Sequence, residues 1–249
     1  LIALFMMVFL SNVVVTDTNL RKNYLYKRSR IKNIFVIPDV LDLVPFRRES
    51  FLQYFAQSDV NKKNVLPSSE RSLSGKGKSI IIWVGNVDNF SSFKVLIDAD
   101  DRFFNYEIIV ITDISFPSKV KLNHPNYTIK QWHLNWEANL ETSTRYYMLL
   151  NHDDKNSIYK GANKMVTSIY NFIIPIVSDT PSYSSLAKKL SAEFLVFKKN
   201  QYPFDLINNL DKKENDWFNS FFTKSKVYID NNYNNDVIGS ILLNIIKLL

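Results

Sequence analysis

Two lysines, Lys160 and Lys164, stand either side of Gly161 in the run YKGANKMVTSIYNFIIPIVSDTPSY, residues 159–183. The pattern predicts a basic, small-residue turn, then a helix, an apolar strand and a Thr-Pro turn. A basic residue at a helix start opposes the helix dipole, whose N-terminal end is already positive, at a cost of about 0.3–1 kcal/mol. Backbone N–H groups at a helix start bind phosphate, so a bound anion turns that repulsion into attraction. The chemistry indicated is recognition of a phosphate or diphosphate. An exposed basic turn without a ligand is the open alternative.

Two further strand ends carry polar groups where an open α/β sheet binds ligands, beyond the carboxyl ends of its strands. In WVGN, Gly85 and Asn86 follow an apolar strand, and a glycine there lets backbone approach a ligand closely. In VSDTPSY, Asp179 and Thr180 end another. Trp132 and Trp136 are candidates to stack on a base, although aromatic side chains are more often core. Other chemistries are excluded or disfavoured. The chain has no cysteine, so disulfides and thiolate metal sites are absent. Its three histidines, at 124, 133 and 152, lack ligand-like spacing. GKGKS at 75–79 precedes a strand instead of following one, and Ser72 stands where a phosphate loop needs glycine. The five glycines, at 75, 77, 85, 161 and 239, form no G-x-G-x-x-G. Asp153 and Asp154, adjacent in a loop, point in different directions and suit a hydrated turn better than an acid/base pair.

The elements that must position these residues follow from the apolar runs. The 249 residues suit one large domain or somewhat more. Strands are predicted at 13–16, 33–38, 79–85, 107–113, 127–132, 146–151, 174–178 and 193–197, and helices at 17–29, 91–101, 134–141, 162–172 and 181–190. IIIWV, EIIVIT and IIPIV are apolar on both faces, as in parallel sheets covered on both sides. Alternation of strand and helix predicts an α/β, doubly wound, Rossmann-like parallel sheet. The expected division is 1–41 as the end of a preceding domain and its crossover, 42–78 as a linker, 79–211 as the ligand-binding sheet domain and 212–249 as C-terminal helices. The ten apolar residues before Ser11 are too few to span a bilayer, which needs roughly 20. They lack the features of a signal peptide and are expected to form a buried helix. The abrupt start without methionine suggests a fragment. A net charge of +7 favours an anionic partner.

Four segments, in order, resemble GT-B fold glycosyltransferases of the group using nucleotide-diphosphate sugars. VVVTDTNLRKNYL looks like the end of the N-terminal domain. VIPDVLD resembles the Ile-Pro-Asn-Gly-Val-Asp crossover, with Asp39 for Asn and Val40 for Gly. IIIWVGN resembles the first strand of the nucleotide-binding domain. KGANKMVTSIYNFIIPIVSDTPSY resembles the donor-site segment. Lys160 and Ser168 stand where retaining members carry two glutamates, and Ile173 replaces the glycine before the Pro-Val strand. The pattern fits a divergent subgroup from bacterial surface-polysaccharide clusters, with Lys160, Asn163 and Lys164 at this turn.

The resemblance implies the C-terminal half of such an enzyme, with most of the N-terminal domain missing. It implies a hexosyltransferase-like transfer from a nucleotide-diphosphate sugar to a saccharide or lipid-linked acceptor in polysaccharide biosynthesis. Lys160 and Lys164 would meet the charge of the departing diphosphate, with no cofactor and no metal. Gly85 and Gly161 would give backbone access. Asn86, Asn163, Tyr159 and Ser168 would make donor contacts, and Trp132 would meet the base edge. A fragment without its catalytic base is expected to be inactive alone. The expected location is cytoplasmic, with possible peripheral contact of a basic surface with the inner membrane. The alternative is a non-catalytic GT-B-like scaffold or partner subunit. A nucleic-acid role for the basic stretch LRKNYLYKRSRIK ranks below both, so no nucleic-acid partner is expected.

Overall fold

The computed structural model describes residues 14–16, 19–28, 33–37, 78–113, 120–133, 136–140, 143–150, 160–198 and 201–247. The first described elements form a small βαβ unit. Strands β1 (Val14–Thr16) and β2 (Ile34–Val36) pair in parallel, with Val14 opposite Ile34, and helix α1 (Asn19–Arg28) lies between them in sequence.

The main sheet contains β3 (Ile80–Val84), β4 (Glu107–Thr112), β5 (Tyr127–Gln131), β6 (Thr144–Leu149), β7 (Ile174–Ser178) and β8 (Val196–Phe197). Every pairing is parallel, in the spatial order β5-β4-β3-β6-β7-β8. This is the doubly wound, Rossmann-like α/β sheet expected from the apolar runs. Every residue of β3 is buried, as befits a central strand covered on both faces. The edge strands β5 and β8 are only partly covered.

Helices pack around the sheet: α2 (Phe90–Asp98), α3 (Asn163–Tyr170), α4 (Pro181–Lys189), α5 (Pro203–Asp211), α6 (Asn215–Tyr233) and α7 (Asn235–Lys247). Helix α2 buries Phe90, Phe93 and Ile97, three or four residues apart on one face. Trp83 of β3 stacks on Phe93 at 5.7 Å and meets Phe90 edge-on at 5.5 Å. Each such buried side chain contributes about 1.5–3 kcal/mol of burial free energy. Helix α3 packs on α6. Two residues past its end comes Phe172, whose φ of 56° lies in the left-handed region while its ring packs on Phe222 at 5.5 Å. Helix α7 returns to the first unit: Ile238 and Ile245 pack with Ile37, just beyond β2.

One polar cluster fastens α5 to the sheet. The hydroxyls of Tyr106 and Tyr146 both donate to the Asp211 carboxylate, and Arg145 lies beside it at 3.5 Å. Burial raises the pKa of both tyrosines, so they remain donors.

Several expectations need correction. Strand β6 occupies 144–149 and not 146–151, because Thr144 is buried and pairs with Ile80 despite its hydroxyl. Only Val196 and Phe197 of the 193–197 run pair as strand, since Glu193–Leu195 close a 3-10 turn. Within 134–141 the described structure is a 3-10 turn, Trp136–Asn139, too short to be an α-helix. Helix α5 was not anticipated. Its signals are Pro203 at the helix start and Phe204, Ile207 and Leu210 on one buried face. The apolar N-terminal run, most of the 42–78 stretch, and Asp153 and Asp154 lie outside the described residues. Among the described residues no helix is long and apolar enough to cross a membrane.

Candidate functional site

The strand order reverses between β3 and β6, and in such sheets the crevice at that switch point takes the ligand. Here the carboxyl ends of β3 and β6 open into a pocket of 230 Å³. Its walls include Trp83, Gly85, Leu149, Lys160, Gly161 and Lys164. A neighbouring pocket of 420 Å³ lies toward β4 and β5, walled by Asn86, Asp113, Trp132, Trp136, Glu137 and Thr167 among others. Val84, Gly85, Asn163 and Lys164 line both, so the two are compartments of one crevice.

Lys164 stands on the divide. Its Nζ donates to the Val84 carbonyl oxygen at 2.9 Å, tying the first turn of α3 to the end of β3. The residue is exposed overall, yet protein atoms crowd its ammonium group. Burial, and then the charge of Lys160, lower its pKa from the ordinary 10.5. Among the described residues no carboxylate pairs with either lysine. Helix α3 begins at Ala162 without a side-chain cap and has no acidic residue in its first turn. Serine, threonine, aspartate or asparagine would ordinarily cap such a start. The smaller compartment is therefore lined by two cations and by no carboxylate.

Local hydrogen bonds hold the walls. The Gly85 N–H donates to the Ile111 carbonyl at 3.2 Å, and the Gly85 carbonyl accepts from Thr112 Oγ1 at 2.7 Å. A Cβ at Gly85 would lie 2.8 Å from Trp83 Cζ2, so only glycine lets the indole pass beneath this turn. Asn86 Oδ1 accepts from the Asp88 N–H at 3.0 Å and fixes the chain leaving β3. At the start of α4, Thr180 caps the helix and Ser182 Oγ donates to the Lys160 carbonyl at 2.6 Å. Asp179 accepts from Ser184 Oγ. Asp179 and Thr180 thus shape the helix start whose Ser182 holds the Lys160 turn.

The structure brings Lys160, Lys164, Gly85, Asn86, Trp132, Gly161 and Asn163 to the crevice walls. Trp132 is 47% exposed at its rim, whereas Trp136 is buried against Tyr147 with ring centroids 5.8 Å apart. Ser168 lines neither compartment of the crevice. It is 1% exposed, and its hydroxyl donates to the Ile173 carbonyl at 2.8 Å, closing the turn after α3. Tyr159 lies outside the described residues. Sequence reasoning passed over Asp113, Glu137 and Tyr183, which also line the crevice. Asp113 directly follows β4, so the carboxyl-end rule could have found it. Burial raises the pKa of Glu137. Among the described residues no group of three or more His, Cys, Asp or Glu is placed to hold a metal ion.

No protein-family model matches the chain, and no curated protein matches it. Solved structures do. A glycosyltransferase from Rickettsia africae ESF-5 superposes with a TM-score of 0.63 at 14% identity, over 94% of this chain and 62% of that one. Anabaena Alr3699/HepE, solved in complex with UDP and glucose, gives a TM-score of 0.68 at 10% identity, over 96% and 64%. WaaG, a glycosyltransferase involved in lipopolysaccharide biosynthesis, gives 0.59 at 9% identity, over 91% and 60%. The chain spans 60% to 64% of the lengths of these three structures. With its six-stranded order and its switch-point crevice, the chain has the fold of the matching part of these GT-B glycosyltransferase structures.

Proposed function

We propose that this chain forms the donor-binding part of a glycosyltransferase. It moves a sugar from a nucleotide-diphosphate sugar to a hydroxyl of a saccharide or lipid-linked acceptor in polysaccharide biosynthesis. The observation that carries the reading is the Lys164 ammonium at the switch point, held by a backbone carbonyl and paired with no carboxylate among the described residues. In the reaction the acceptor oxygen bonds to the anomeric carbon as the bond from that carbon to the diphosphate oxygen breaks. The acceptor proton goes to a base, and the negative charge grows on the departing diphosphate. Lys164 exchanges the Val84 carbonyl for a phosphate oxygen, and Lys160 adds a second charge. This is stabilisation by groups already oriented where charge develops.

The larger compartment suits the nucleoside. Trp132 offers an exposed aromatic edge, and Glu137 and Asn163 offer polar contacts. In this reading residues 79–211 bind the donor, and the βαβ unit with its crossover belongs to a preceding domain. Lys22 and Lys27 of α1 suit peripheral contact with an anionic membrane face.

UDP tests the proposal, with ADP, GDP, CDP and dTDP beside it. One of these is expected to raise the melting temperature and to bind calorimetrically. Lys164→Met is expected to weaken that binding by roughly 10- to 150-fold, the loss of one hydrogen bond to a charged group. If none of the five binds, the donor reading fails and the chain is a scaffold with this fold.

A further inference from the structure

A third cavity, of 710 Å³, lies away from the crevice and shares no lining residue with it. It runs along the outer flank of β8, between that edge strand, α5 and the start of α6. Its size falls within the range of small-molecule sites, about 300–1,000 Å³.

The lining has three properties. First, it is aromatic and rigid. Trp217 stacks on Phe221 at 5.8 Å with 10° between planes and meets Phe194 edge-on at 5.1 Å. Tyr202 and Phe194 remain 64% and 40% exposed, a large apolar surface left to water. Second, its lining carries both signs: Lys198 and Lys213 with Glu193 and Asp205, Asp205 being paired to Arg102 at 2.9 Å and Lys213 lying over the Trp217 ring. Third, the exposed amides of Gln201 and Asn209 line the groove; Gln201 Oε1 accepts from the Lys198 N–H at 2.9 Å, and its amide N–H groups can donate.

We propose that this groove is a carbohydrate-binding subsite, taking a short run of neutral pyranose rings. A pyranose presents an apolar C–H face to an aromatic ring and a girdle of hydroxyls to amides and charged groups. A purely apolar partner would cover the amides and charges without satisfying them, which is costly. A peptide strand added to the sheet edge finds only two paired residues on β8, too short a template. Lys198 and Gln201 follow the carboxyl end of β8, on the same rim as the crevice. From β6 to β8 is two strand spacings, on the order of 10 Å. A saccharide in the groove would therefore pass near the crevice without entering it.

The test titrates the chain with maltohexaose, cellohexaose and chitohexaose, followed by calorimetry and tryptophan emission. At least one is expected to bind. Tyr202→Ala and Asn209→Ala, both at exposed positions, are each expected to weaken it about tenfold, the loss of one anchor. Saturating UDP, and the Lys164→Met change, should leave saccharide affinity unaltered, which separates this inference from the donor reading. It is overturned if none of the three binds up to its solubility limit. It is equally overturned if binding ignores both groove variants, or if an extended apolar peptide displaces the saccharide from them.

Discussion

A methyl group at Gly85 would lie 2.8 Å from Cζ2 and 2.9 Å from Cη2 of Trp83. Carbon pairs rest at about 3.5–4.0 Å, so the nearer contact overlaps by about 0.7 Å. The indole has nowhere to swing: it is 2% exposed and wedged between Phe90 and Phe93. The turn cannot lift either, because both its N–H and its carbonyl are bonded to β4. Gly85→Ala should therefore cost about 1–3 kcal/mol, the usual range for overpacking a tight site. The cost is specific to the far end of the indole. In a Trp83→Phe background the shorter ring removes the clashing atoms, and Gly85→Ala should then cost under about 0.5 kcal/mol, close to the limit of additivity. Urea unfolding of wild type, both single variants and the double variant gives the coupling directly. An alanine that costs the same in both backgrounds, or nothing in either, refutes the steric account of this glycine.

Ser168→Ala should cost about 1 kcal/mol, for one buried hydrogen bond. Ser168→Glu should cost several kcal/mol, because it drives a carboxylate between α3 and β7. Thermal unfolding measures both, and a stable Ser168→Glu protein with improved UDP affinity would show that the position does reach the donor. Asp211→Ala should cost about 2–4 kcal/mol by leaving two mostly buried tyrosine hydroxyls without an acceptor. Urea unfolding checks it, and a change below about 0.5 kcal/mol would refute the clasp. For Lys164 the folded pKa lies below the unfolded value of 10.5. The unfolded chain then binds more protons between those two values, so stability rises with pH across that window. The penalty for the charged ammonium is complete below the folded pKa and gone above 10.5. Wild type should therefore gain on Lys164→Met as pH climbs toward 10.5, in paired urea curves.

The central strands were legible because their burial is written in the residues themselves: IIIWV and EIIVIT can serve only a strand covered on both faces. Edges were harder. Phe194 and Leu195 carry the same apolar signal as the pairing residues after them, and only the turn geometry separates them. Strand order was not legible in detail, since parallel pairing depends on long-range contacts and not on local pattern. At the site, Gly85, Asn86, Lys160, Gly161, Asn163 and Lys164 could be named because strand ends and helix starts converge there by topology. The place of Ser168 was not legible, because alignment by spacing says where a residue falls along the chain, while the turn of the helix decides which way its hydroxyl points. Glu137 and Tyr183 carry no local signal: an isolated carboxyl or phenol joins a crevice only through tertiary packing.

Phe172 gives the lysine-bearing helix a distant anchor. Its backbone sits where glycine is at ease, yet its side chain is the bolt between α3 and α6. Eight residues, about 12 Å of helix, separate that bolt from the lysine end. Glycine at this position would relax the chain and loosen the bolt together, letting the short rod roll about its long axis. The placement of Lys164 thus depends on packing at the opposite end of its helix.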